Sequence, residues 1–437
     1  MKHPYNGPIM AARIRRRVAK NKQLEYFKSS RSLCSLPGDV LYECFAFIIS
    51  SCQDVITLAA TCRLFRKIVE QPGLVAYLGI TLENKQDIIC LQLSRYWGSI
   101  HVLAPNISIP ILPHATIVEF QQGVKVDLKE LERLPFLKKV FIYSSQSGVT
   151  WEELVQLAKR KSLVSLGAPS VVVTQPPPPS LQLLQVASLR CPLVPASLSG
   201  LQHLDIAVTS SHQLAMIMTA APHLIALQLQ CPPGVWDIRP LRYLRRVAIS
   251  QSEVPGAFRV VLPPSISTLC LVDCRSPTTL HLPVKNLESF VLRGKCDVDF
   301  FISLTDLLEA AQNLSTLHLI NTLPISYSAV AQLGTLPNLT SLYISRPFDK
   351  LSLQPLQNLK RLAVQQMSRD AIPFLYSVMT LDQLQHFECM DSDVTHENLH
   401  ILIKSLPNLG KVTLQGCPNV DIERLRHCFP KIKLSVR

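Results

Sequence analysis

The chain has 437 residues, 47% hydrophobic and 17% charged, a balance that fills a continuous core and excludes a chain disordered throughout. No window reaches the ~18 uninterrupted apolar residues of a membrane-crossing helix, and the basic start lacks the apolar run and cleavage site of a secretory leader. The net charge of +13 is uneven: residues 1–31 hold nine Lys or Arg against one acid, Glu25, and the remainder holds 35 bases and 30 acids.

In chain order, residues 1–32 are expected to form a basic, solvated arm carrying Arg13, Arg15, Arg16, Arg17, Lys20 and Lys22. A nuclear address or a contact with nucleic acid or anionic lipid are its functional alternatives. Residues 36–69 then read as three short helices. Pro37 suits a helix start, where its missing N–H costs nothing. Val40, Leu41, Cys44, Phe45 and Ile48 share one helical face. A polar break, Ser50-Ser51-Cys52-Gln53, precedes Asp54 as N-cap. Val55, Leu58 and Cys62 form a second apolar face, and Phe65, Ile68 and Val69 a third. The order Leu36-Pro37, Asp39, Val40-Leu41, Asp54-Val55, Cys62-Arg63-Leu64-Phe65 resembles an F-box over about 35 residues. It departs from that pattern in a break about two residues longer and in Phe65 where Trp is common. The resemblance implies that Leu36, Pro37, Val40, Leu41, Phe45, Ile48, Val55, Leu58, Cys62 and Phe65 dock a Skp-type adaptor, and through it a cullin–RING ubiquitin ligase. A helical cap closing the apolar end of a repeat array is the alternative for 33–70.

Residues 71–130 read as a connecting stretch with atypical first repeats, and 131–437 as an array. The motif L-x-x-L-x-L, with Ile, Val or Phe substituting, starts at Leu137, Leu201, Leu224, Leu244, Ile266, Leu287, Leu314, Leu339, Leu359, Leu384 and Leu409. Weaker copies start at Ile88, Ile117, Leu163 and Leu181, and from Leu137 onward the steps run from 18 to 27 residues. Each x-L-x-L-x piece is a short strand with alternate side chains inward; alone it cannot cover its apolar face, so neighbours must stack. This resembles a leucine-rich repeat solenoid: an α/β fold with a curved parallel sheet and a convex side partly helical, partly irregular. Helical returns are expected over 303–311 and 397–405, and extended or turning returns at Leu262-Pro263-Pro264 and Leu282-Pro283. The Pro176–Pro179 run is expected to be a rigid loop between repeats. Nine residues into the motif, where the family favours a small polar residue, stand Thr209, Ser252, Cys274, Thr322, Ser392 and Cys417, but also Pro232, Lys295, Pro347 and Met367. The thirteen cysteines include no CxxC pair; Cys270, Cys389 and Cys417 read as small core hydrophobes in a reduced compartment.

One string looks catalytic. His396-Glu397-Asn398-Leu399-His400 has the HExxH spacing that places two imidazoles on one helical face for zinc, with Glu423 or His427 as a third ligand. Leu399 fills a core position of the repeat helix, which puts His396 and His400 toward solvent and argues against a zinc hydrolase. Phosphate-binding loops and a GxSxG elbow are missing from the sequence. No catalytic residue, metal or cofactor is therefore expected.

The strand positions between core residues should form a binding face: Phe141, Tyr143, His203, Arg246, Arg293, His318, Tyr343, Arg361, His386 and Lys411. Aromatic and basic side chains of this kind suit a protein substrate of acidic or phosphorylated character. Together the two resemblances imply a non-catalytic substrate receptor in the cytoplasm or nucleus of a eukaryotic cell. Membrane and nucleic acid are not expected partners, and a repeat scaffold without ligase function is the alternative.

Overall fold

The computed structural model describes Ala60, Phe65 and residues 79–82, 99–103, 109, 112, 114–145, 147–232, 234–251, 258–273, 278–281, 284–294, 311–320, 336–346, 353–369 and 371–436. Leu36, Pro37, Val40, Leu41, Phe45, Ile48, Val55, Leu58 and Cys62 lie outside the described residues, as do Ile88, residues 303–310 and the polar positions Ser252, Cys274 and Thr322. Phe65 is helical and buried. Contacts divide the chain into two compact units, Met1–Cys191 and Pro192–Arg437.

The first unit pairs six strands in chain order, each parallel to the next: β1 (Gly79–Leu82), β2 (Ser99–Val102), β3 (Ile117–Phe120), β4 (Lys139–Ile142), β5 (Ser165–Val173) and β6 (Leu183–Leu189). Helix α1 (Leu128–Glu132) returns from β3 to β4, and α2 (Trp151–Lys161) from β4 to β5. Thr150 and Glu153 close a reciprocal capping box on α2, which ends at Ser162 in the left-handed conformation. Buried Trp151 donates its indole N–H to the Gln175 carbonyl at 2.8 Å, tying this helix to the proline loop. In that loop Pro177 and Pro178 are buried, as a rigid connection requires.

The second unit carries, in order, β7 (His203–Ala207), α3 (Ser211–Ala220), β8 (Ala226–Cys231), β9 (Gly234–Asp237), β10 (Arg246–Gln251), β11 (Phe258–Val261), β12 (Thr268–Val272) and β13 (Thr278–His281). There follow β14 (Ser289–Arg293), β15 (Thr316–Ile320), β16 (Ser341–Ser345), β17 (Arg361–Gln365), α4 (Ile372–Val378), β18 (His386–Met390), α5 (His396–Ser405), β19 (Lys411–Gln415), α6 (Ile422–Cys428) and β20 (Lys433–Val436). One strand per repeat builds the main ladder, β7-β8-β10-β12-β14-β15-β16-β17-β18-β19-β20, parallel at every step. The chain is a leucine-rich repeat fold: successive strands of the ladder are neighbours in space, as a parallel array with one crossover return per repeat requires.

The core follows from register. Leu269, Phe290, Leu317, Leu342, Leu362, Phe387 and Val412 occupy one cross-strand row, and all are buried. The leading Leu of each motif, from Leu137 to Leu409, is buried as well. Each such side chain contributes roughly 1.5–3 kcal/mol on leaving water.

Three features depart from the sequence reading. The repeat expected to begin at Ile117 begins at Ala115: Ala115, Val118 and Phe120 are buried and Ile117 is not, because Val118 pairs with Val140 and Phe120 with Ile142. The short returns of the second unit are not only extended or turning but paired. β9, β11 and β13 pair in parallel as a second, three-stranded sheet. A short return leaves little length for a helix at 1.5 Å per residue, so it runs extended, and extended returns of adjacent repeats lie close enough to pair. Cys270 and Cys417 are half-exposed rather than core; Cys389 is buried.

An unanticipated ladder runs along the strand-entry edge of the second unit. Asn286, Asn313, Asn338, Asn358 and Asn408 each stand immediately before the leading Leu of a repeat. Each donates its side-chain amide to a main-chain carbonyl of the preceding repeat: those of Pro264, Lys285, Gln312, Pro337 and Asp382 respectively. At the strand exits Asp273, Arg346, Gln366 and Asp391 adopt positive φ, and so do Gly294 and Gly416. The N–H groups of Asp273, Gly294, Arg346, Gln366 and Asp391 each reach the strand of the next repeat at 2.7–2.9 Å.

Candidate functional site

Alternation in each strand sends the remaining side chains to the face opposite the core, where register sorts them into rows. Arg361, His386 and Lys411 are direct neighbours in one row, continued by Lys433. His318 and Tyr343 are neighbours in the next row, continued by Ala363, Glu388 and Thr413. Arg293 and Gln365 occupy the final outward position of β14 and β17. His203 and Arg246 flank Ala226 in the first row, 3.4 Å apart between Nε2 and Nη2. Phe141 and Tyr143 belong to the first unit, where their rings stack at 6.3 Å with an interplanar angle of 7°. The Phe141 ring lies against Gly167, where a side chain would collide with it. Of the predicted positions, Phe141 and Tyr143 belong to the first unit and the other eight to the second.

On the second unit this surface is already hydrogen-bonded within itself. The Tyr343 hydroxyl donates to Gln365 Oε1 at 2.7 Å, and Gln365 Nε2 donates to Asp391 Oδ2 at 3.2 Å. Arg361 pairs with Glu388 at 3.1 Å, with the Arg side chain 55% exposed and the Glu side chain 7%. Glu388 lies within β18 and is buried, and the guanidinium supplies it with an ion-pair partner. His386 Nε2 lies 3.0 Å from Thr413 Oγ1. The His318 and Tyr343 rings tilt together at 5.7 Å. Burial and then Arg361 hold the His318 imidazole below its ordinary pKa, while burial pushes the Tyr343 phenol up. The result is a pre-set polar surface with few rotamers left to freeze on binding. Sequence reading missed Gln365, Asp391 and Thr413 because it sought charge and aromaticity, not the shared rows that make short polar residues connectors.

The HExxH string does not form a metal centre. His396 and His400 lie on α5 with ring centroids 6.3 Å apart, and among the described residues no three His, Cys, Asp or Glu side chains converge as ligands. His396 is buried rather than solvent-facing, since 396, 399 and 403 fall on the same helical stripe. Its Nδ1 has no hydrogen-bond partner. His400 packs on Phe429 at 4.9 Å. At the family's polar position, Ser392 behaves as expected: it accepts the Met367 N–H at 3.0 Å and donates to Met390 O. Cys417 points its thiol at the Cys389 carbonyl at 3.5 Å, and the adjacent Cys389 thiol draws the pKa of Cys417 down to about 7 while its own rises.

No family model and no curated protein sequence matches the chain. Among solved structures it is similar to a leucine-rich repeat protein of Leptospira interrogans, at 20% identity, covering 84% of this chain and 97% of that one, with a TM-score of 0.38. It is also similar to the Rad7 and Elc1 complex in yeast (13% identity, 99% and 98% coverage, TM-score 0.38). An internalin (inlF) of Listeria monocytogenes matches at 15% identity over 92% and 98%, with a TM-score of 0.28. At these identities and scores they establish nothing beyond what the parallel repeat ladder itself shows, a leucine-rich repeat fold.

Proposed function

We propose that the chain is the substrate-recognition subunit of an SCF-type cullin–RING ubiquitin ligase. Residues 33–70 dock a Skp-type adaptor and the outward strand faces hold a protein target in the cytoplasm or nucleus of a eukaryotic cell. The carrying observation is the order of two modules: an F-box-like run from Leu36-Pro37 to Cys62-Arg63-Leu64-Phe65, then a repeat array whose polar face is organised in advance. The chain contributes no chemistry. It holds target and ubiquitin-charged enzyme in one assembly, which converts a bimolecular encounter into an effectively intramolecular one. Apolar anchors at ~25 cal/mol per Å² supply the adaptor affinity.

The test is a pull-down of purified Skp-type adaptor and cullin by the full chain and by a Leu36→Ala/Pro37→Ala double variant. Capture by the wild type and loss in the variant is the expected result. A folded wild type that captures no adaptor overturns the ligase reading, and leaves a repeat scaffold with residues 33–70 as its cap.

A further inference from the structure

A groove of about 590 Å³ opens on the strand-entry edge of the second unit, away from the polar strand face. That volume lies in the range of ligand sites. Register explains its lining. Tyr243, Ser265, Asn286, Asn313 and Asn338 each precede a leading core residue and form one edge row. Arg245, Ser267 and Glu288 form the row beside it, with Ser267 N–H donating to Arg245 O and Glu288 N–H to Ser267 O, both at 2.9 Å. Repeats step by about 4.8 Å, so from Tyr243 to Asn338 the groove runs roughly 19 Å, the reach of about six extended residues.

Its electrostatics are asymmetric. Arg242 and Arg245 flank Tyr243 at one end, both exposed, and neither is within ion-pair distance of an acid among the described residues. Tyr243 is 60% exposed, its ring tilted on His223 at 5.4 Å, an outlay of aromatic surface that the core does not use. Glu288 stands two repeat steps from Arg245, about 10 Å away. Along the rest of the edge, Asn286, Asn313 and Asn338 each commit one side-chain N–H to a main-chain carbonyl, which fixes the amide and leaves its Oδ1 as an acceptor.

We infer that this edge groove binds an extended peptide segment of a partner protein, reading a carboxylate at Arg242 and Arg245 and, two or three residues further on, a basic side chain at Glu288. The asparagine acceptors suit the N–H donors of such a backbone, and Tyr243 supplies apolar contact beside the carboxylate. A single-stranded nucleic acid is the poorer fit: Glu288 opposes a phosphate midway along the groove, and one aromatic pair is a small stacking platform. The inference rests on the protein-binding half of the reading above and is independent of its ligase half.

The experiment is selection of displayed random hexapeptides on the purified full chain with no adaptor present, so that the fate of adaptor docking does not enter. The enriched peptides are expected to carry Asp or Glu with Lys or Arg two or three positions away. Their binding should weaken by about tenfold or more in Arg242→Gln/Arg245→Gln and fall as salt rises. Glu288→Lys should retain binding but exchange the basic preference for an acidic one, a gain that an unfolded variant cannot mimic. Arg361→Ala, on the strand face, should leave the selection unchanged. Absence of enriched acidic peptides overturns the inference. So does dependence on Arg361 in place of Arg242 and Arg245, or tighter capture of an oligouridylate probe through the same two arginines.

Discussion

His318 shows how one residue reports the state of the strand face. Its imidazole is held below the ordinary histidine value by burial and by Arg361, as that of His203 is by burial and Arg246. The unfolded chain therefore takes up the proton first, near pH ~6.5, and the folded chain only lower. Stability should decline as pH falls below about 6.5 and level off once the folded imidazole is charged. Urea denaturation across this range is expected to show the decline in the wild type and a flatter profile in His318→Gln. Gly416 carries a different constraint. Its φ is +59° and a side chain there would strike the Asp391 carboxylate, which anchors Gln365 and through it Tyr343. Gly416→Ala should cost about 1–2 kcal/mol from backbone strain alone. The denaturation midpoint should move at unchanged slope.

Among elements, the strands were legible because the x-L-x-L-x pattern states both their length and their inward face; Phe290, Phe387 and the leading leucines stand where that pattern puts them. Its failures have physical causes. Ala115 was passed over because a methyl group gives a weak apolar signal, yet a tight repeat accepts it. His396 was placed by its polarity, whereas the helix stripe it shares with Leu399 decides its burial. The returns β9, β11 and β13 owe their pairing to neighbours that no local pattern announces. The edge asparagines were in plain sight as the recurrent Asn-Leu of 286–287, 313–314, 338–339, 358–359 and 408–409. Their role is not local: each amide bonds to a carbonyl of the preceding repeat, 21 to 28 residues away in sequence. Of the candidate site, residue types were readable but their internal bonding was not. Two substitutions test the element scale. Asn338→Ala should lose about 1 kcal/mol with its rung of the ladder, read by chemical denaturation. His396→Leu should gain about 1 kcal/mol by removing an unpartnered buried nitrogen, and an equilibrium denaturation curve showing a loss instead would mean that the imidazole has a partner in solution.

At the scale of the second unit, each strand of the main ladder pairs only with its immediate neighbours. Stability is then nearly a sum of local terms and nearest-neighbour interfaces. Phe387→Ala should cost about 3–5 kcal/mol at its own repeat. Amide hydrogen exchange should accelerate first in β17, β18 and β19 and fade with each step toward β10. A uniform loss of protection along the ladder would show that the unit opens as one body.

The paired clamps at strand entry and exit have a consequence for how this molecule could change length. Asn338 and Asn358 bind the repeat before them in the same way, and Arg346 and Gln366 bind the one after in the same way. The span from 339 to 358 is accordingly interchangeable at both joints. Its excision would bring His318 beside Ala363 with every remaining row still aligned, shortening the reading surface by one tooth and deleting Tyr343 from it. Gain or loss of whole repeats is thus a route by which the strand face acquires a new set of side chains without relearning how to fold.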